Sequence, residues 1–100
     1  MDRNKLSIFH LPEHNKLMIE GTIEYMVDSK KEGTSTLMGS VNSEYMWMQT
    51  IDVSEMDVME PEEASFMLIL DHPQQIYDLE FTDLNEKSTI RISSINTSFK

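Results

Sequence analysis

The chain has no cysteine among its 100 residues. That excludes a disulfide scaffold, a thiol nucleophile and a Cys-based zinc site, and it suits the cytosol. Only three glycines and three prolines are present. With no polar low-complexity run, this scarcity argues against wholesale disorder. No apolar stretch approaches the roughly 18–20 residues that cross a bilayer. Met1-Asp2-Arg3-Asn4-Lys5 does not lead into an apolar run of signal-peptide length. The expectation is a soluble, cytoplasmic protein, in which Asn96-Thr97-Ser98 is a chance match to the glycosylation sequon.

The largest deficit is in positive charge. Between Lys31 and Lys87 there is no lysine or arginine, yet thirteen carboxylates fall there: Glu32, Glu44, Asp52, Glu55, Asp57, Glu60, Glu62, Glu63, Asp71, Asp78, Glu80, Asp83 and Glu86. Compacting such a segment costs self-repulsion, which cations or a basic partner relieve. The whole chain carries a net charge of −10. Direct binding to nucleic acid or to an anionic membrane is not expected, because both need clustered Lys or Arg.

What is present reads as one domain spanning 1–100. The chain is 39% apolar, and a domain of this length buries roughly 60–68% of its unfolded surface, enough for one modest core. Leu17, Ile19, Gly21, Ile23, Tyr25 and Val27 alternate with Met18, Glu20, Thr22, Glu24 and Met26, the period of a half-buried strand. After turn chemistry at Asp28–Gly33, alternation resumes at Thr34 and runs to Val53. The simplest pairing joins these two runs as a long hairpin. A run from 34 to 53 exceeds ordinary strand length, so a break is expected at Gly39 or at Asn42-Ser43.

Residues 54–65 lose the alternation. A short helix entered at Pro61, or an acidic loop, both fit. Phe66–Leu70 reads as a strand buried on both faces. Ile76–Phe81 reads as a strand with Tyr77, Leu79 and Phe81 inward. Asp83–Ser88 is expected to close a hairpin onto Thr89–Phe99, with a bulge near Ser93-Ser94. Lys5–Phe9 adds a short first strand. The expected fold is mainly β, an antiparallel sandwich or partly open barrel of about six strands. The alternative is α+β, with one short helix near 54–65.

Two constellations stand out. Tyr45 and Trp47 continue the core parity of their strand, which puts Met46 and Met48 on the other face. Either the 54–65 segment covers these methionines, or they form an exposed patch in which Met packs adaptably and Trp47 anchors a partner. The second is the acidic run Asp52, Glu55, Asp57, Glu60, Glu62 and Glu63: a solvated surface, a face for a basic partner, or a divalent-ion site. Its spacing does not match an EF-hand loop. His10 and His14 have metal-like spacing but no Cys partners, and Pro12 breaks a helix that would align them, so they read as two exposed loop histidines. Asp71-His72 cannot pair from adjacent strand positions, and no G-x-S-x-G elbow, Walker A motif or dinucleotide fingerprint is present. Glu20 and Glu24 share a strand face, but the chain offers little cleft for a sugar.

The functional expectation is a small acidic protein-binding module of an inhibitor, immunity or adaptor type, suited to a bacterial or phage setting. It would occupy a basic surface of a partner protein, with imitation of nucleic acid as one mode, through Met46, Trp47, Met48, Asp52, Glu55, Asp57, Glu60, Glu62 and Glu63. A ligand- or divalent-ion-binding β module is the first alternative. A structural subunit that forms a homo-oligomer through a strand edge is the second. No catalytic residues, metal ligands or cofactor are expected.

Overall fold

Alternating apolar positions fold into seven strands in the computed structural model, which describes residues 3–11, 13–71 and 74–100. The elements are β1 (Lys5–Phe9), β2 (Leu17–Met26), β3 (Thr34–Val41), β4 (Glu44–Asp52), a 3-10 turn (Val53–Glu55), β5 (Glu62–Leu70), β6 (Ile76–Asp83) and β7 (Thr89–Phe99). Every ladder is antiparallel. One sheet has the order β1-β6-β3-β4 and the other β5-β2-β7. They form an open sandwich, not a closed barrel. Pro12, His72 and Pro73 lie outside the described residues, and with them the break at Pro12, the Asp71-His72 pair and part of the turn at 72–75.

The core lies between the sheets because each strand turns its apolar parity inward. Leu17, Ile19, Ile23 and Tyr25 of β2 and Ala64, Phe66, Leu68 and Leu70 of β5 face Leu37 of β3, Ile51 of β4 and Tyr77, Leu79 and Phe81 of β6. Ile90, Ile92, Ile95 and Phe99 of β7 pack on this cluster from the side. Phe81 sits at the centre, edge-on to Trp47 at 5.6 Å and against Phe66 at 4.6 Å.

Two expected hairpins do not exist. β2 pairs with β5 and β7, whereas β3 pairs with β4 and β6, so Asp28–Gly33 carries the chain from one sheet to the other. Asp83–Ser88 likewise crosses from β6 to β7 between sheets. Period-two alternation defines which face is buried, and it is the same for a neighbour in the sheet and a neighbour across the core. The chain's one hairpin among the described residues is β3–β4. Asn42 and Ser43 both take positive φ, +50° and +70°, as a two-residue turn of the primed type requires. The expected break at Asn42-Ser43 is this turn, and it makes the strands seven instead of six.

Both suspected irregularities are present. The β3–β4 register shifts between Gly39 and Ser40, and the β2–β7 register shifts between Thr22 and Ile23, opposite Ser93. The second brings the Ser94 carbonyl so close that a Cβ on Gly21 would stand 2.1 Å from its oxygen. Glycine is required there by space.

The helix reading of residues 54–65 does not hold; the acidic-loop reading holds for 56–61, between a short turn and the start of β5. Val53–Glu55 makes one 3-10 turn, with the Asp52 carboxylate accepting from the Ser54 N–H at 3.1 Å. Buried Val53 and Met56 hold that turn down. The Met59 N–H bonds to the Val27 carbonyl at 2.9 Å, and β5 begins at Glu62. No α-helix occurs among the described residues.

Candidate functional site

The acidic segment links the outermost strands of the two sheets. β4 pairs only with β3 and β5 only with β2, so both are edges, and residues 53–61 join them at one end of the sandwich. The Asp52, Glu55, Asp57, Glu60, Glu62 and Glu63 side chains are all exposed. Among the described residues none of the six forms a salt bridge. The four ion pairs present, Lys5–Glu80, Lys16–Asp71, Lys31–Asp28 and Arg91–Glu24, use other carboxylates, and Glu24 of the last stands directly opposite Glu63 in the β2–β5 ladder.

Local cations reach this end of the molecule but go to backbone oxygens. Lys30 Nζ donates to the Ser54 carbonyl at 2.6 Å, and Lys87 Nζ to the carbonyls of Glu32 at 2.8 Å and Thr34 at 3.2 Å. One measure of the field is Tyr25, opposite Glu62 in the β2–β5 register: burial and then the Glu62 charge push its hydroxyl above the usual tyrosine range.

The methionine cluster is divided by the β4 irregularity. Gly39 pairs with Trp47 and Ser40 with Tyr45, leaving Met46 as the extra residue. Parity flips there. Tyr45, expected inward, is 58% exposed, because the extra residue rotates it to the outer face. Trp47 does face inward, half-buried against Phe81. Met48 is 67% exposed on the outer face beside Met38, and Met46 is 40% exposed. The 54–65 segment therefore covers neither methionine.

Met46 instead borders a notch of about 500 Å³ at the far end of the two edges. Met46, Ile69, Leu70 and Tyr77 line it, with Glu44 and Asp71 on its rim. Asp52 is six residues beyond Met46, about 20 Å along an extended strand. The candidate residues thus occupy the two ends of one flank, acidic at one end and apolar at the other.

Sequence reasoning missed Met67 and Ile69. Read as buried on both faces, β5 is buried on one only: both side chains are 56% exposed, beside Met18 and Glu20 of β2. The signal was available in Glu63 and Ser65, which extend the same parity backwards as a polar face. The histidines also differ from expectation. His10 and His14 are half-buried, each about 5.9 Å from the Phe99 ring, and His10 Nδ1 lies 3.2 Å from the Tyr77 hydroxyl. Among the described residues no three His, Asp or Glu side chains are placed to hold a metal ion.

On the opposite flank a groove of about 790 Å³ runs along the β6–β7 crossing, lined by Arg3, Met26, Asp83, Thr89, Ile90 and Arg91. Arg91 is engaged by Glu24 at 2.6 Å, a contact that raises the guanidinium pKa.

Compared with protein-family models, curated proteins and solved structures, the chain matches none. Among the described residues no helix is long and apolar enough to cross a membrane.

Proposed function

We propose that this chain is an acidic binding module that occupies a basic surface of a partner protein, as an inhibitor, immunity-type protein or adaptor. The observation that supports this most is the run of six exposed carboxylates along 52–63, none of them matched by a cation of the chain among the described residues. Such an array attracts a basic patch over a Debye length of about 8 Å at physiological salt and sets its approach. A spaced row of carboxylates also imitates a phosphate backbone, so a nucleic-acid-binding protein is a suitable target. Tyr45, Met46 and Met48 supply apolar contact, with Trp47 supporting them from below.

The test is affinity capture from the host's lysate at low and high salt, in parallel with the Glu60→Lys/Glu62→Lys/Glu63→Lys variant. The reading expects one basic protein, held at low salt, weakened at high salt and lost in the variant. Equal capture by both proteins contradicts it.

A ligand-binding β module is the second reading, favoured by the groove beside Arg3 and Arg91. It expects a small anionic ligand to raise Tm, and an Arg3→Ala/Arg91→Ala variant to abolish that rise.

A further inference from the structure

The four edge strands of the sandwich are not equally protected. Natural sheets guard their edges with lysines, prolines, bulges or a covering segment. β1 carries Lys5. β7 is bulged at Ser93, carries Arg91, and its Ile92 N–H bonds to the Arg3 carbonyl at 2.9 Å. β4 is bulged at Met46. Among the described residues β5 has no lysine, proline, bulge or covering segment, and its charges are confined to Glu62 and Glu63 at its start. Its nine residues, Glu62–Leu70, contain no lysine, arginine or proline, and their ladder to β2 has no register shift. Among the described residues, the backbone of 62–70 makes no hydrogen bond beyond that ladder. An unbulged nine-residue edge of this kind is a template for another strand.

We infer that the free edge of β5 is a strand-addition site that takes an extended segment of a basic partner protein. This rests on the acidic-module reading above and specifies how the partner engages.

The chemistry along β5 states which segment fits. Glu62 and Glu63 stand at its start, while Met67, Ile69 and the notch beside Met46 stand at its end. Every ladder in the molecule is antiparallel, and antiparallel pairing is slightly the more stable. An antiparallel guest meets the Ile69 end first. Its N-terminal half must therefore be apolar on alternate positions, and its C-terminal half must carry lysine or arginine opposite Glu62 and Glu63. Opposite charges directly across a ladder stabilise it and like charges oppose it. A second copy of this chain is a poor guest, because it brings a further net charge of −10.

The test uses the full chain and a labelled nine-residue peptide, Thr-Val-Thr-Ile-Thr-Val-Lys-Arg-Lys, with three controls. One carries N-methyl groups on alternate amides, in both alternations, one has the reversed order, and one replaces the basic residues by Glu. The expected result is saturable binding that at least one N-methylated form loses by tenfold or more. Reversal should weaken it, and slowed amide exchange should appear in residues 62–70. Equal binding by every N-methylated form, or protection confined to another edge, overturns strand addition while leaving the electrostatic reading in place. Equal binding of the Glu peptide overturns both. Concentration-dependent dimerisation through residues 62–70 without peptide assigns the edge to a second copy and overturns the proposal.

Discussion

Gly39 on β3 lies beneath the Phe81 ring of β6, so closely that a Cβ at position 39 would come within 2.7 Å of a ring carbon. The absent side chain is what lets Phe81 lie flat in the core, in contact with Trp47 on its own sheet and Phe66 on the other. Gly39→Ala should therefore overpack the centre and cost about 1–3 kcal/mol. Phe81→Leu should cost stability alone but reduce the penalty of Gly39→Ala when combined. Denaturant unfolding of the two single variants and the double variant measures this. Strict additivity would contradict the contact.

Asp83 is a buried carboxylate satisfied from four sides. It accepts from the Ser35 and Ser88 hydroxyls and from the Asn85 and Ser88 backbone N–H groups, both of the latter at 2.9 Å. Burial alone would raise its pKa, but the hydrogen bonds overcome burial and hold it below the ordinary value. A folded pKa below the unfolded one means that the carboxylate's contribution is complete above about pH 4, the unfolded Asp value. It is lost as pH falls from there through the folded value. Asp83→Asn should cost about 1–3 kcal/mol at neutral pH, since an amide presents donors where two of these donors point. The gap between native and variant should narrow below about pH 4. A constant gap from pH 7 to pH 3 would contradict the assignment.

The Asn42-Ser43 turn carries unequal roles. Ser43 supplies only its positive φ, so Ser43→Gly should stabilise the chain by up to about 1 kcal/mol. Asn42 also accepts from the Asp78 N–H at 2.8 Å and donates to the Ile76 carbonyl at 3.2 Å. Asn42→Gly should therefore destabilise despite the favourable φ, and thermal unfolding of the pair separates the two effects.

Gly21 offers a sharper spatial test. The clashing atom is a backbone carbonyl in β7, which cannot rotate away as a side chain would. Gly21→Ala should cost more than Gly39→Ala and should loosen β7 first. Amide exchange of residues 89–99, compared with that of β6, reads the effect out.

Much of this architecture was legible because burial on one face writes period two into a strand. Leu17–Val27 and Tyr77–Phe81 show it plainly, and Ser93-Ser94 marks a bulge by breaking it. Sheet membership was not legible. Leu37 and Ile23 carry the same alternation whether they are neighbours in a ladder or meet across the core, so two crossings read as hairpins. The outward turn of Tyr45 was hidden for a related reason: one extra residue at Met46 inverts the parity of Glu44 and Tyr45 against the rest of β4. In the candidate site, the acidic composition was plain. The bare edge of β5 was not, since edges belong to strand order and not to any local pattern.

On the proposed function, the 52–63 carboxylates guide a basic partner onto this flank. The most direct measurement is the association rate of the captured partner with the native chain and with Glu60→Lys/Glu62→Lys/Glu63→Lys, across a series of salt concentrations. Association should slow about tenfold or more at low salt in the variant, with a flatter salt dependence. Equal rates and equal salt slopes in the two proteins would contradict it.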